Sequence, residues 1–258
     1  MRYLISLACL SFGLSAAQAD FVQKTVNYTD GTIDYSGVLI YNDELKADAP
    51  GIFMVPNWMG VTEGSIEKAK MIAADKYVIF VADMYGVNIR PKNSAEAGDA
   101  AGFVRADRSL MRARAALGLE TFLAQEAPLN KERVAAIGFC FGGGTVLELG
   151  RTGAELDAIV SFHGDLMSPT LAEDAGQTQA QVLVLHGAAD PFVPQSDVQA
   201  FIDAMLATDV DWELVQYSGT VHSFTDPTAN MEGKAQYNAI SAGRAFERME
   251  ALLDELWD

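Results

Sequence analysis

The run Gly138-Phe139-Cys140-Phe141-Gly142-Gly143-Gly144, placed where the apolar stretch Arg133-Val134-Ala135-Ala136-Ile137 ends, constrains this chain more than any other feature. It reads as a strand that delivers a side chain onto a sharp turn into a helix. Such a turn holds one residue in a strained conformation, and the chain can close around it only where flanking residues lack a Cβ. Gly138, Gly142 and Gly143 supply those positions around Cys140. The residue on display is a thiol, so the turn presents a nucleophile. The competing reading is a glycine-rich packing junction with an inert, buried thiol. A phosphate cradle is set aside, because no Gly-Lys-Ser/Thr follows and Leu147 stands where the last glycine of G-x-G-x-x-G would fall.

The N-terminus carries Arg2, an apolar stretch from Tyr3 to Leu14, and then Ala17-Gln18-Ala19 in the small-x-small pattern that precedes signal-peptide cleavage. That predicts export, to a periplasmic or secreted location, with a signal peptide at residues 1–19 and one domain over residues 20–258. The apolar part is too short for a permanent membrane span. No later segment reads as a membrane helix. Cleavage would remove Cys9 and leave Cys140 as the only thiol, in a compartment where thiols oxidise or pair. Such a cysteine is either sequestered or kept for its reactivity, and its place on the turn favours reactivity. The leader holds one arginine and no acid, so its loss moves the formal net charge from −17 to −18. A surface this acidic argues against nucleic acid and anionic membranes as partners.

After the leader, Phe21 to Tyr28 and Tyr35 to Tyr41 flank Thr29-Asp30-Gly31 and read as a β-hairpin. Beyond it, short apolar runs at 51–55, 77–82, 133–139, 156–162, 181–185 and 212–217 read as buried strands. They alternate with helix candidates at 64–75, 105–124, 140–150, 196–207 and 235–257. Val198, Phe201, Ile202, Met205 and Leu206 share one helix face, as do Phe246, Met249, Leu253 and Leu256, and both stripes read as core. The alternation implies an α/β fold: a mostly parallel central sheet with helices on both faces and its site at the strands' C-terminal ends. Residues 86–104 and 165–180 read as irregular rims or lids.

A thiol becomes a good nucleophile when an imidazole takes its proton, and that imidazole needs a third group to orient it. The chain has three histidines. His222 lies in the loop after the last predicted strand, and Asp190 lies just after strand 181–185. The order Cys140, Asp190, His222 is the nucleophile, acid, histidine order of α/β-hydrolases. His186 reads as structural. His163 reads either as a pocket residue or as a buried histidine bonded to backbone. No close-spaced ligand pair points to a metal, and nothing in the sequence implies a cofactor. For the oxyanion of a tetrahedral intermediate, the donors would be the backbone N–H of Phe141 and that of Trp58, in the loop Val55-Pro56-Asn57-Trp58-Met59-Gly60.

Gly-Phe-Cys-Phe-Gly-Gly, His-Gly-Ala-Ala-Asp-Pro-Phe-Val-Pro and Val-His-Ser-Phe together resemble the dienelactone hydrolase family of α/β-hydrolases, over nearly all of the chain after the leader. The resemblance implies the α/β-hydrolase fold, with Cys140 as nucleophile, His222 as base, Asp190 as its orienting acid, and the Trp58 and Phe141 amides as oxyanion hole. Two positions depart from the family pattern. Asn57 stands where these enzymes have a glutamate that engages the resting thiol, which leaves activation to His222. Asp226 stands where they have a substrate-binding arginine, which counts against dienelactone itself. Arg105, Arg108 and Arg112, at helical spacing, read as a solvated face.

The expected function is therefore hydrolysis of small esters or lactones through a Cys-His-Asp triad and an acyl-enzyme. The alternative is a non-catalytic ligand-binding or thiol-sensing protein on the same scaffold. The sequence leaves the substrate and the oligomeric state open.

Overall fold

The computed structural model describes residues 20–257, so the signal peptide read at residues 1–19 lies outside the described residues. Strands β1 (Phe21–Thr29) and β2 (Asp34–Asn42) form the expected hairpin. Its turn is held by Asp30, whose Oδ1 accepts the N–H groups of Thr32 and Ile33, both at 2.8 Å. The side chain thus replaces backbone partners that a tight turn cannot supply.

The hairpin joins an eight-stranded sheet in the order β1-β2-β4-β3-β5-β6-β7-β8. Here β3 is Ala49–Val55, β4 Val78–Val81, β5 Leu129–Phe139, β6 Ala158–Phe162, β7 Gln181–Gly187 and β8 Trp212–Tyr217. From β4 through β8 every neighbouring pair is parallel. The chain winds one way from β3 to β4 and the other way from β5 onward. This reversal opens a crevice at the C-terminal ends of β3 and β5, where open α/β sheets place their ligands.

The helices cover both faces. On one face α1 (Glu63–Ala73) and α7 (Ala239–Trp257) bury Ile66, Ile72, Met249 and Leu253 against Ile52, Met54, Ile79 and Ile137. On the other, α2 (Ser94–Ala106), α3 (Arg108–Leu123), α4 (Phe141–Gly150) and α6 (Gln195–Leu206) pack against Phe53, Phe80 and Ala136. Val198, Phe201 and Met205 of α6 are buried as their spacing requires, whereas Leu206 at the helix end is exposed. In α7 Met249 and Leu253 are buried, with Leu256 exposed near the C-terminus.

Two expectations are corrected. The stretch 86–104 is not irregular, since α2 occupies most of it, and the single helix read at 105–124 is two. Asn93 caps α2 by accepting the N–H groups of Ala95 and Glu96. The residues α2 buries are Ala97, Ala100, Ala101 and Val104, whose small side chains leave little hydrophobic periodicity to read. Asp107 breaks the two helices apart: its backbone is extended (φ −121°, ψ 97°) and its Oδ1 accepts the Leu110 N–H at 3.0 Å. A short aspartate side chain competes with the helical backbone in this way. Within 165–180 lie the short α5 (Leu171–Asp174) and a 3₁₀ turn, and β9 (Asn230–Met231) pairs with β10 (Ala235–Gln236) before α7 begins.

Candidate active site

Cys140 sits at φ 55°, ψ −116°, between the end of β5 and the first turn of α4. A Cβ on Gly138 would collide with the Gly142 carbonyl, and one on Gly142 with the carbonyls of Val55 and Pro56. The glycines therefore let β5, α4 and the end of β3 approach at backbone contact, and the left-handed strain at Cys140 is held by that packing. Cys140 is a free cysteine and is half-buried there.

The last two strands bring the other two groups to it. Asp190 follows β7, where its Oδ1 accepts the Phe192 N–H at 2.8 Å. His222 lies beyond β8, its backbone bridged to Ala235. Its Nδ1 is 2.7 Å from Asp190 Oδ2 and its Nε2 3.1 Å from Cys140 Sγ. All three residues read from the sequence therefore meet in one hydrogen-bonded line. Asp190 and His222 are buried, and Phe192 packs edge-on against His222 with ring centroids 5.2 Å apart while remaining 57% exposed, so it forms part of the rim.

The electrostatics favour a charged pair. Burial works against protonation of His222, but its hydrogen bonds to Asp190 and Cys140 outweigh it and push the imidazole up to about 10. Burial likewise opposes ionisation of Cys140. The hydrogen bond and charge of His222, the Phe141 N–H and the Arg105 guanidinium together overcome it and bring the thiol below its ordinary value. A thiolate beside an imidazolium is the reactive form.

The turn after β3 supplies the other wall. Asn57 Oδ1 accepts the Met59 N–H at 3.0 Å, and the Asn57 carbonyl accepts the Gly60 N–H at 2.9 Å. Tyr85 Oη donates to the Trp58 carbonyl at 2.9 Å. None of these bonds uses the Trp58 N–H. Asn57 thus closes the turn as an amide, and its side chain makes no hydrogen bond to Cys140 or His222. Tyr85 was missed in the sequence. The only signal there was its place in Asp83-Met84-Tyr85-Gly86, just beyond a strand end.

Of the remaining histidines, His163 satisfies both readings left open: it accepts a backbone N–H and it lines a cavity. His186 is fully buried, and neither of its ring nitrogens finds a partner among the described residues. Burial pushes both rings toward the neutral form. The arginines are not a solvated face. Arg112 Nε donates to Glu148 at 2.7 Å, Arg151 Nη1 to Glu148 at 2.9 Å and Arg108 Nη2 to Asp165 at 3.0 Å, so α3, α4 and the loop after β6 share a largely buried ion network. Arg105 is half-exposed, 5.8 Å from the centre of the Phe141 ring. No group of three or more His, Cys, Asp or Glu side chains that could hold a metal ion occurs among the described residues. Nor is any described helix long and apolar enough to cross a membrane.

Residues 37–256 match the model of the dienelactone hydrolase family. This chain belongs to the dienelactone hydrolase family. Like other members it is a hydrolase of the α/β-hydrolase fold. The crystal structure of a dienelactone hydrolase-like promiscuous phosphotriesterase from metagenomic libraries superposes with a TM-score of 0.86 at 36% identity, covering 93% of this chain and 99% of that one. A putative carboxymethylenebutenolidase of Synechocystis is 25% identical over 217 residues, 79% of this chain and 85% of that protein. An uncharacterized protein of Caenorhabditis elegans is 35% identical over 104 residues, and that match spans 38% of this chain and 63% of the relative.

Proposed function

We propose that this dienelactone hydrolase-family protein is an exported thiol hydrolase of small esters or lactones. The observation that carries the reading is the His222 imidazole, 3.1 Å from the Cys140 sulfur and 2.7 Å from the Asp190 carboxylate. In the proposed cycle the Cys140 thiolate attacks the ester carbonyl, forming the C–S bond and moving the carbonyl electron pair onto oxygen. The Phe141 and Trp58 amides receive that oxyanion. The intermediate collapses with cleavage of the C–O bond, and the imidazolium gives its proton to the departing alkoxide. The now neutral His222 takes a proton from water, whose oxygen attacks the thioester. Acid leaves, and Cys140 takes up the negative charge beside the reprotonated His222.

Asp190 acts by orienting the ring and stabilising its charge. With Asn57 bonded inside its own turn, His222 is the group that takes the proton of the thiol. Asp226 stands where the family's pattern has a substrate-binding cation, so neutral esters and lactones fit the reaction centre better than a lactone that carries a carboxylate. The export part of the proposal rests on the leader pattern, with Cys140 then the only thiol left in the mature chain.

The test is hydrolysis of p-nitrophenyl acetate by the wild type and by Cys140→Ala, with intact mass recorded during turnover. A covalent acyl adduct in the wild type and loss of turnover in the variant are expected. Undiminished turnover by Cys140→Ala would overturn the proposal. A protein that shows no hydrolysis, but a Cys140 reversibly oxidised by peroxide and restored by reductant, would instead be a thiol sensor.

A further inference from the structure

Beside the reaction centre, between α1, α7 and the loop that follows His222, lies a cavity of about 710 Å³. That is within the range of about 300–1,000 Å³ typical of small-molecule sites. Cys140, Asp190 and His222 do not line it. Its walls are mainly apolar, with Met54 and Phe139 from the sheet, Met71 from α1 and Phe246 from α7, and Lys68 projects into it from α1.

Lys68 is the unusual member. Its Nζ donates to the Thr225 carbonyl at 2.8 Å and lies 4.5 Å from the centre of the Phe139 ring and 5.9 Å from that of Phe246. It makes no ion pair among the described residues, although two carboxylates also line the cavity. Glu67 is engaged by Lys70 at 2.8 Å, and Asp226 accepts both the N–H and the hydroxyl of Thr228 at 2.9 and 2.7 Å. An ammonium with three donors, one carbonyl acceptor and aromatic walls has unused hydrogen-bonding capacity in a poorly solvated place. Burial draws its pKa down to about 8, against the pull of Asp226. The first turns of α1 (Gly64, Ser65) and α7 (Ala239, Ala242) line the same cavity, so two helix N-terminal ends add positive potential.

We infer that this cavity is a second ligand site, which takes an aliphatic monocarboxylate with its carboxylate on the Lys68 ammonium and its chain between α1 and α7. An apolar chain matches the methionine and phenylalanine walls, and a single anionic head matches the single cation whose charge no carboxylate neutralises at contact. A neutral alcohol of the same length would leave the ammonium as it is. A longer cation would meet Lys68 as a like charge.

The test is calorimetric titration of the full chain with octanoate and, separately, with 1-octanol, so that the reading does not depend on turnover. Octanoate is expected to bind at least about tenfold more tightly than octanol, since a hydrogen bond to a charged group is worth more than one to a neutral group. Lys68→Met should erase that preference. Gly243 lines the cavity, and a Cβ there would meet nothing within 4 Å. Gly243→Leu should therefore narrow the cavity without disturbing the fold and weaken both ligands. Octanoate binding should survive carbamidomethylation of Cys140. Equal affinity for octanoate and octanol, no binding to the wild type, undiminished octanoate binding to a folded Lys68→Met, or loss of binding on Cys140 alkylation would each overturn the inference, the last by assigning octanoate to the reaction centre.

Discussion

His163 Nδ1 accepts the main-chain N–H of Cys140 at 3.2 Å, so the strained turn that carries the thiol rests partly on a neighbouring histidine ring. A nitrogen that accepts carries no proton. The proton is therefore on Nε2, which donates to Thr225 Oγ1 at 2.8 Å. Thr225 also lends its carbonyl to Lys68, so a short chain of hydrogen bonds runs from Cys140 to the neighbouring cavity.

That arrangement requires neutral His163, and burial holds the ring well below its ordinary pKa of 6.5. His186 is lowered for the same first cause. Below pH 6.5 the unfolded chain takes up protons at both residues that the folded chain refuses, so their contribution is complete above that pH and is lost as the pH falls through it. Urea unfolding followed from pH 6.5 to 5, where the contribution of His222 is already complete, should show stability declining with acid, and His163→Gln should make the decline shallower.

His222 has the opposite sign. Its folded pKa is raised to about 10, so its contribution is complete below pH 6.5 and is lost as the pH rises toward 10. The matching kinetic readout is alkylation of Cys140 by iodoacetamide. In the wild type it should already be fast at pH 7, because the thiol sits below its ordinary value. In His222→Gln the profile should move toward that of a free thiol, with a slower rate at pH 7.

Replacing Asp190 by Asn should leave the turn around Phe192 closed while removing the charge that orients His222. Loss of such an orienting acid typically lowers kcat on the order of 10⁴-fold. Steady-state kinetics on p-nitrophenyl acetate check this, and an effect under tenfold would exclude the orienting role.

Tyr85→Phe tests the turn after β3. The variant loses the bond to the Trp58 carbonyl but keeps the ring beside Phe141, with centroids 5.5 Å apart. A hydrogen bond of this kind is worth about 0.5–1.5 kcal/mol. Some of that should surface as a misplaced Trp58 amide, so kcat is expected to fall with little change in KM.

Glu148, buried at 1% exposure, takes hydrogen bonds from Arg112 and Arg151. Glu148→Ala would leave Arg151 buried without its counter-charge. Removing one partner of a buried pair costs about 3–5 kcal/mol. The midpoint of urea unfolding should drop accordingly, and a change below 1 kcal/mol would show that water screens the network.

Much of this molecule is legible in its residues because the signals are local. The glycines around Cys140 are dictated by contacts within one strand-turn-helix unit, and the buried strands announce themselves as unbroken apolar runs. Asp190 and His222 were reachable because parallel winding brings every strand's C-terminal end to one edge, so chain order already limits which loops can meet. The helix α2 was not legible, since alanines bury a face without marking it. Nor were the partners of Arg108 and Arg112, because a charge pattern along one helix is the same whether it faces water or Glu148 on another. Distance and burial decide that question, and both depend on how α3 and α4 pack across the sheet. In the same way only tertiary packing sets Lys68 against aromatic walls and His163 against the main chain of Cys140. The sequence determined which groups stand at the sheet's edge, while the packing of distant segments decided which are charged, which are paired and which still have a hydrogen bond to give.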